Sequence, residues 1–200
     1  MSARLLLLRH GEIKANRQGR WHGETDSPLT GRGRRQARRT ARFLSREEPG
    51  IERVYTSPMQ RCQDTAGFVG MAMHRDIEVA DGLSEMSIGA WEDMRFRDLE
   101  NGYQLIKRLT VDPDFTPPDG ENLNQVANRV TAELRAIDQR HDGQTVLVVS
   151  HGVAMAVTLA VLLDGSPAKW VNYHFHNCGL TEFVLTPEPV VYTFNQHGHL

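Results

Sequence analysis

The sequence predicts an α/β fold layered around a largely parallel sheet. Three features carry that expectation. Apolar runs at residues 5–8 and 145–149 have the length and continuity of strands buried on both faces. Between such runs lie stretches with apolar residues at helical spacing, so strands alternate with helices. No internal repeat and no low-complexity linker divides the 200 residues, a length suited to a single domain over 1–200.

The elements follow in order. Leu5-Leu6-Leu7-Leu8 runs into Arg9-His10 and stops at Gly11. Thr30 is placed to cap a helix starting near Gly31, whose inner face carries Ala37, Ala41 and Leu44. Residues 54–57 read as a second strand, stopped by Pro58, and 59–71 as the helix after it. Residues 78–83 read as a third strand. Residues 122–140 form a strong helix, with Leu123, Val126, Val130, Leu134 and Ile137 on one face. The strand at 145–149 precedes a helix at 153–163, and 180–185 and 190–194 close the chain as strands. Residues 91–121 have less periodicity and include Asp112-Pro113-Asp114-Phe115-Thr116-Pro117-Pro118. They read as a short cap-like excursion over one end of the sheet.

Composition excludes several classes. A formal charge of −2 argues against a nucleic-acid binder, whose domains carry a basic excess. Arg32, Arg34, Arg35, Arg38, Arg39, Arg42 and Arg46 crowd one helix, which reads as a solvated face. The run 5–8 is too short for a signal-peptide core, and 153–163 is too short to span a bilayer. Two cysteines, Cys62 and Cys178, do not make a disulfide framework. A cytoplasmic protein that does not engage membranes is expected; the oligomeric state is left open.

Two strands end alike. One leads into Arg9-His10-Gly11 and the later one into Ser150-His151-Gly152. Ligands of open α/β sheets bind beyond the carboxyl ends of the strands, so the two histidines are expected to face one pocket. Arg61 lies one helical turn past the end of the second strand, and Glu85 follows the third. These residue types suit phosphoryl transfer, which depends on positioning and on stabilising charge spread over three oxygens. Arg9 and Arg61 supply planar forks that match phosphate oxygens, and a protonated His151 would add a donor. Neutral His10 supplies a nitrogen nucleophile whose second ring nitrogen needs an acceptor, such as a backbone carbonyl. Glu85 is placed to protonate the leaving alkoxide and then to activate water, although Glu92, Asp93 and Glu12 compete for that role.

In these residues the chain resembles the histidine phosphatase superfamily, also called phosphoglycerate mutase-like. Arg9-His10-Gly11-Glu12 with Asn16 matches its opening block, and residues 23–30 with Gly33 match the next. Thr56-Ser57-Pro58-Met59-Gln60-Arg61 with Thr65-Ala66 matches the block of the second arginine. Leu83-Ser84-Glu85 with Gly89 and Trp91-Glu92 matches that of the acid, and 148–153 that of the second histidine. The resemblance implies a three-layer α/β/α sandwich, a phosphohistidine intermediate, and no metal or other cofactor. It also implies that Asn16, His22 and Gly23 help to hold the phosphate. Three positions depart from the pattern: Ile13 where many members have Thr, His22 where many have Gln, and Asp93 where Gly is usual.

The function expected is a metal-independent phosphomonoesterase acting on a small phosphorylated metabolite. The alternatives are a cofactor-dependent phosphoglycerate mutase, or a phosphoprotein phosphatase or binder using the same pocket. The excursion contains Arg95, Arg97, Lys107 and Arg108 but no adjacent arginine pair to grip a substrate carboxylate, which favours the smaller phosphatase branch. His174, His176, His197 and His199 raise a metal reading, disfavoured because no cysteine or carboxylate cluster shares their spacing. His176 or Asn177 is the residue expected at the pocket rim. Cys62 reads as a small buried helix residue.

Overall fold

A computed structural model describes residues 2–200. Strand β1 (Arg4–Arg9) leads through a short helix α1 (Lys14–Gln18) to the long helix α2 (Gly31–Glu47). Then come β2 (Ile51–Thr56), α3 (Gln60–Met73) and β3 (Ile77–Val79), with single turns at Asp81–Leu83 and Gly89–Trp91. Helices α4 (Phe96–Tyr103), α5 (Leu105–Val111) and α6 (Leu123–Arg140) precede β4 (Thr145–Ser150) and α7 (Gly152–Asp164). A turn at Pro167–Asn172 leads to β5 (Leu180–Val184) and β6 (Val190–Gln196).

The strands form one sheet in the order β3-β2-β4-β1-β5-β6. The first four are mutually parallel, and β5 and β6 join antiparallel at the other side. Alternation along the strands splits the core in two, because successive side chains point to opposite faces. Leu5, Leu7, Val146 and Val148 pack with Val126, Val130 and Leu134 of α6 and Met155 and Leu159 of α7. Leu6, Leu8, Leu147 and Val149 pack with Ala37, Ala41 and Leu44 of α2 and Cys62, Ala66 and Val69 of α3. Three layers result, α/β/α, as expected.

Local sequence explains the helix ends. The Thr30 hydroxyl accepts from Gly33 N, capping α2 where foreseen. Asn122 and Gln125 form a reciprocal capping box at the start of α6. Arginines of α2 lie exposed, opposite its buried stripe.

Two expectations need correction. The third strand ends at Val79, and Asp81–Leu83 is a 3₁₀ turn. Gly82 and Ser84 break the run there: Ser84 Oγ donates to Asp81 O, and Arg129 takes Gly82 O. The excursion is more ordered than its weak periodicity predicted. Leu99, Leu105 and Leu109 are each fully buried and anchor α4 and α5, two helices too short to show a periodic stripe. Helix α1, five residues long, was not anticipated for the same reason. Among the described residues, no helix is long and apolar enough to cross a membrane.

Candidate active site

The adjacency of β1 and β4 builds the site. Their register pairs Arg9 with Ser150, so the residue after each strand, His10 and His151, emerges side by side. His10 N donates to Ser150 O at 3.0 Å, and the two imidazoles meet edge to face with centroids 5.3 Å apart. His10 is 3% exposed and His151 fully buried. Beyond them lies a cavity of about 580 Å³ lined by Arg9, His10, Asn16, His22 and Glu85, and walled by side chains from α4, α5, α7 and the 170–177 segment.

His10 is held in one tautomer. Its Nδ1–H donates to Gly11 O at 2.8 Å, which leaves Nε2 with the lone pair. Burial, then the charges of Arg9 and Arg61, holds the His10 imidazolium far below the usual histidine range, so the ring is neutral at pH 7. Arg9 lies against Gly152 and donates Nη1–H to Phe175 O, while its Nε–H is buried with no acceptor among the described residues. Burial lowers the Arg9 pKa, and the charge of Glu85 opposes that shift.

Burial, followed by the charge of Arg61, pushes His151 well below the ordinary histidine value. Its Nδ1 accepts from Arg61 Nε at 3.2 Å, and its Nε2 lies 2.7 Å from Ser57 Oγ. The ring is therefore neutral, with its proton on Nε2.

Arg61 is fully buried and stands behind the cavity. Besides His151, its fork donates to Thr25 O, Asp26 Oδ1, His22 O and Gly23 O, which engages all five N–H groups. Gly23 likewise does not line the cavity: its N–H donates to Glu92 Oε2, and a Cβ there would sit 2.1 Å from Met86 O. The motif fixes where these residues leave their strands, while partners distant in sequence decide where their donors point.

The four carboxylates separate by placement. Glu85 Oε1 accepts from Met86 N and Ala154 N, and Oε2 from Val153 N, so the carboxylate sits on the N-terminus of α7 and lines the cavity. Glu92 lies outside it, accepting from the backbone N–H groups of Gly23, Glu24, Thr25 and Ile88. Glu12 accepts from the Thr30 hydroxyl. Asp93 accepts from His22 Nε2 at 2.9 Å and pairs with Arg20; the His22 bond, then Arg20, lowers its pKa. Two of the departures from the family pattern, His22 and Asp93, are thus in contact.

Asn16 Oδ1 accepts from Ile13 N and from Asn177 Nδ2, and Asn177 also donates to His10 O. Asn177 and His174 line the cavity, whereas His176 does not. His176 meets His174 edge to face at 5.3 Å and stacks on His197 at 4.1 Å, while His199 bonds Thr40. Burial raises the Cys62 thiol well above its ordinary pKa, in keeping with an inert helix residue. Sequence reasoning missed Arg129, which donates to Gly82 O, Ser84 O and Glu85 O while paired with Glu121. It clamps the backbone of Glu85 from the polar side of α6, where a lone arginine carries no signal.

A mostly parallel α/β sheet gathers two histidines, an arginine and a carboxylate at the carboxyl end of its strands. The chain belongs to the histidine phosphatase superfamily (branch 1), whose family model matches residues 5–195. It is 36% identical over 200 residues to the bifunctional protein Rv2228c of Mycobacterium tuberculosis, covering 98% of this chain and 55% of that protein. The chain thus spans about half the length of these mycobacterial relatives. It is 33% identical to phosphoserine phosphatase 1 of Hydrogenobacter thermophilus, over 87% of this chain and 82% of that one. Among solved structures it is similar to a phosphoserine phosphatase from Entamoeba histolytica in complex with 3-phosphoglyceric acid. The TM-score is 0.88, with 27% identity and 99% of each chain covered.

Proposed function

We propose that the protein is a metal-independent phosphomonoesterase, active as the single domain 1–200, that works through a phosphohistidine on His10. The neutral, tautomer-locked imidazole of His10, at the floor of a cavity beside Arg9, carries this reading. Nε2 of His10 attacks phosphorus and the ester P–O bond breaks. The Nδ1–H bond to Gly11 O stabilises the positive charge that the ring acquires. Glu85 gives its proton to the leaving alkoxide, then takes one from the water that attacks the phosphohistidine. Phosphate departs and His10 is regenerated. Oε2 carries one backbone bond against two on Oε1, so Oε2 is the atom that exchanges the proton.

Arg9 lines the cavity beside His10 and offers the phosphoryl group the guanidinium donors that Phe175 O does not engage. With its oxygen engaged twice, Asn16 offers its Nδ2 donors to the phosphate. Arg61 contributes as buried charge felt at His10, and by fixing the His151 tautomer and the 22–26 loop. Gly23 supports the site through that loop, and His151 Nε2–H becomes a donor to a phosphoryl oxygen when it leaves Ser57.

The test is phosphate release by native protein and by His10→Ala. The variant should lose at least ~10³-fold in kcat. Native activity should be unaffected by chelator, and an alkaline quench during turnover should trap the phosphoryl group on His10. Full activity in His10→Ala would end this reading.

A further inference from the structure

The cavity carries information about the alcohol side of the ester that the phosphate end does not. Its permanently charged cations, among the described lining residues, are Arg9 and Arg20. Arg9 lies at the phosphate end beside His10. Arg20 is answered by Asp93, which takes it with both its carboxylate and its backbone oxygen. His22 is engaged by the same carboxylate. Burial, then Arg9, lowers the His174 pKa, so that ring is uncharged at pH 7. Away from the phosphate end, then, the cavity offers a substrate carboxylate no permanent cation whose charge is uncompensated.

The remaining wall is apolar and aromatic. Trp21 and Phe96 stack with rings nearly parallel at 6.5 Å, and Ile106, Trp170, Val171 and Tyr173 complete it. Clefts of roughly 300–1,000 Å³ take ligands of drug size, so about 580 Å³ exceeds what a three-carbon ester fills. The wall also holds two sealed polar points: Trp170 Nε1–H has no acceptor and His22 Nδ1 has no donor among the described residues.

We infer that the substrate is a phosphate monoester of an alcohol with a flat, largely apolar body that bears no carboxylate, seated between the Trp21–Phe96 pair and Trp170. The inference rests on the esterase reading above and narrows it. It sets this chain apart from relatives that act on phosphoserine. Moving a carboxylate from water onto an unpaired apolar wall is costly, whereas an aromatic body gains by burial.

Binding and turnover are measured separately. On His10→Ala protein, which holds esters without cleaving them, calorimetry compares 2-phenylethyl phosphate with phosphoserine and 3-phosphoglycerate. The aromatic ester should bind at least about tenfold more tightly. Equal or tighter binding of either carboxylated ester would overturn the inference. Val171 is half-exposed, so it tolerates a long side chain, and Val171→Arg introduces the missing cation. In that background the preference should shrink several-fold through a gain by the carboxylated esters, and an unchanged ratio would also overturn it. Turnover by native protein tests the esterase reading alone. If none of the three is hydrolysed that reading falls, while the order of affinities still judges the substrate class.

Discussion

Asp93 holds a backbone φ of +60°, a region that costs most side chains about 1 kcal/mol and glycine nothing. The carboxylate it gains positions His22 and neutralises Arg20. Asp93→Gly should therefore keep or raise the melting temperature while raising KM, because the pairs it removes are exposed and screened by solvent. A fall of several degrees would contradict this account. Glu85→Gln retains the shape of the carboxylate but can neither give nor take the required proton. It should lose roughly 10²–10⁴-fold on alkyl esters and much less on aryl esters, whose leaving groups need no proton. Equal losses on the two series would remove Glu85 from the acid role. At this scale the sequence picked out Arg9, His10, Asn16, His22 and Glu85, which line the cavity, along with Arg61 and Gly23, which do not. It did not reveal that Arg61 directs every donor away from the cavity, that Glu92 organises the 23–25 backbone, or that Arg129 clamps Glu85. Those roles depend on partners 35 to 90 residues away, many of them carbonyls that carry no side-chain label.

At the scale of elements, the loop carrying His10 and the start of α2 touch through two glycines. A Cβ on Gly33 would lie 2.1 Å from Glu12 O, and one on Gly11 would lie 2.7 Å from Gly33 O. Both neighbours are backbone and cannot rotate aside. Gly33→Ala should destabilise the protein by about 3 kcal/mol or more in urea unfolding. It should also lower kcat, because the displaced segment carries His10 and Glu12. A change below about 0.5 kcal/mol would mean that the two segments separate easily. The long elements were legible: α2 and α6 show a buried stripe and a side-chain cap, and β1 and β4 are uninterrupted apolar runs. Elements α1, α4 and α5 were not, since five to eight residues make too few turns for a period to emerge.

The whole molecule couples its stability to acidity through the imidazoles it buries. His10 and His151 are held well below the ordinary value by burial and by arginine charges, whereas in the unfolded chain both titrate near 6.5. Above that pH both are neutral in either state and native stability is complete. Below it the unfolded chain binds protons that the native protein refuses, so stability falls as pH drops. Each ring contributes up to about 1.4 kcal/mol per pH unit. Urea midpoints should decrease from pH 7.5 to 5.5, and His10→Gln should flatten the slope; a midpoint that rises on acidification would refute the coupling. The layered architecture was legible from alternation of strands and helices, but the strand order was not, because nothing local specifies which neighbour a strand chooses. That order puts β1 in the interior of the sheet, with β4 on one side and β5 on the other. The amide of His10, bonded to Ser150 O, accordingly belongs to the part of the protein that opens last. In deuterium exchange it should report the global unfolding free energy, while α4 and α5 exchange earlier through partial opening. On the proposed activity, heat should then extinguish hydrolysis only when the sheet itself comes apart, yet blunt the choice among alcohols at lower temperature, as the Phe96 and Ile106 wall loosens over an intact His10.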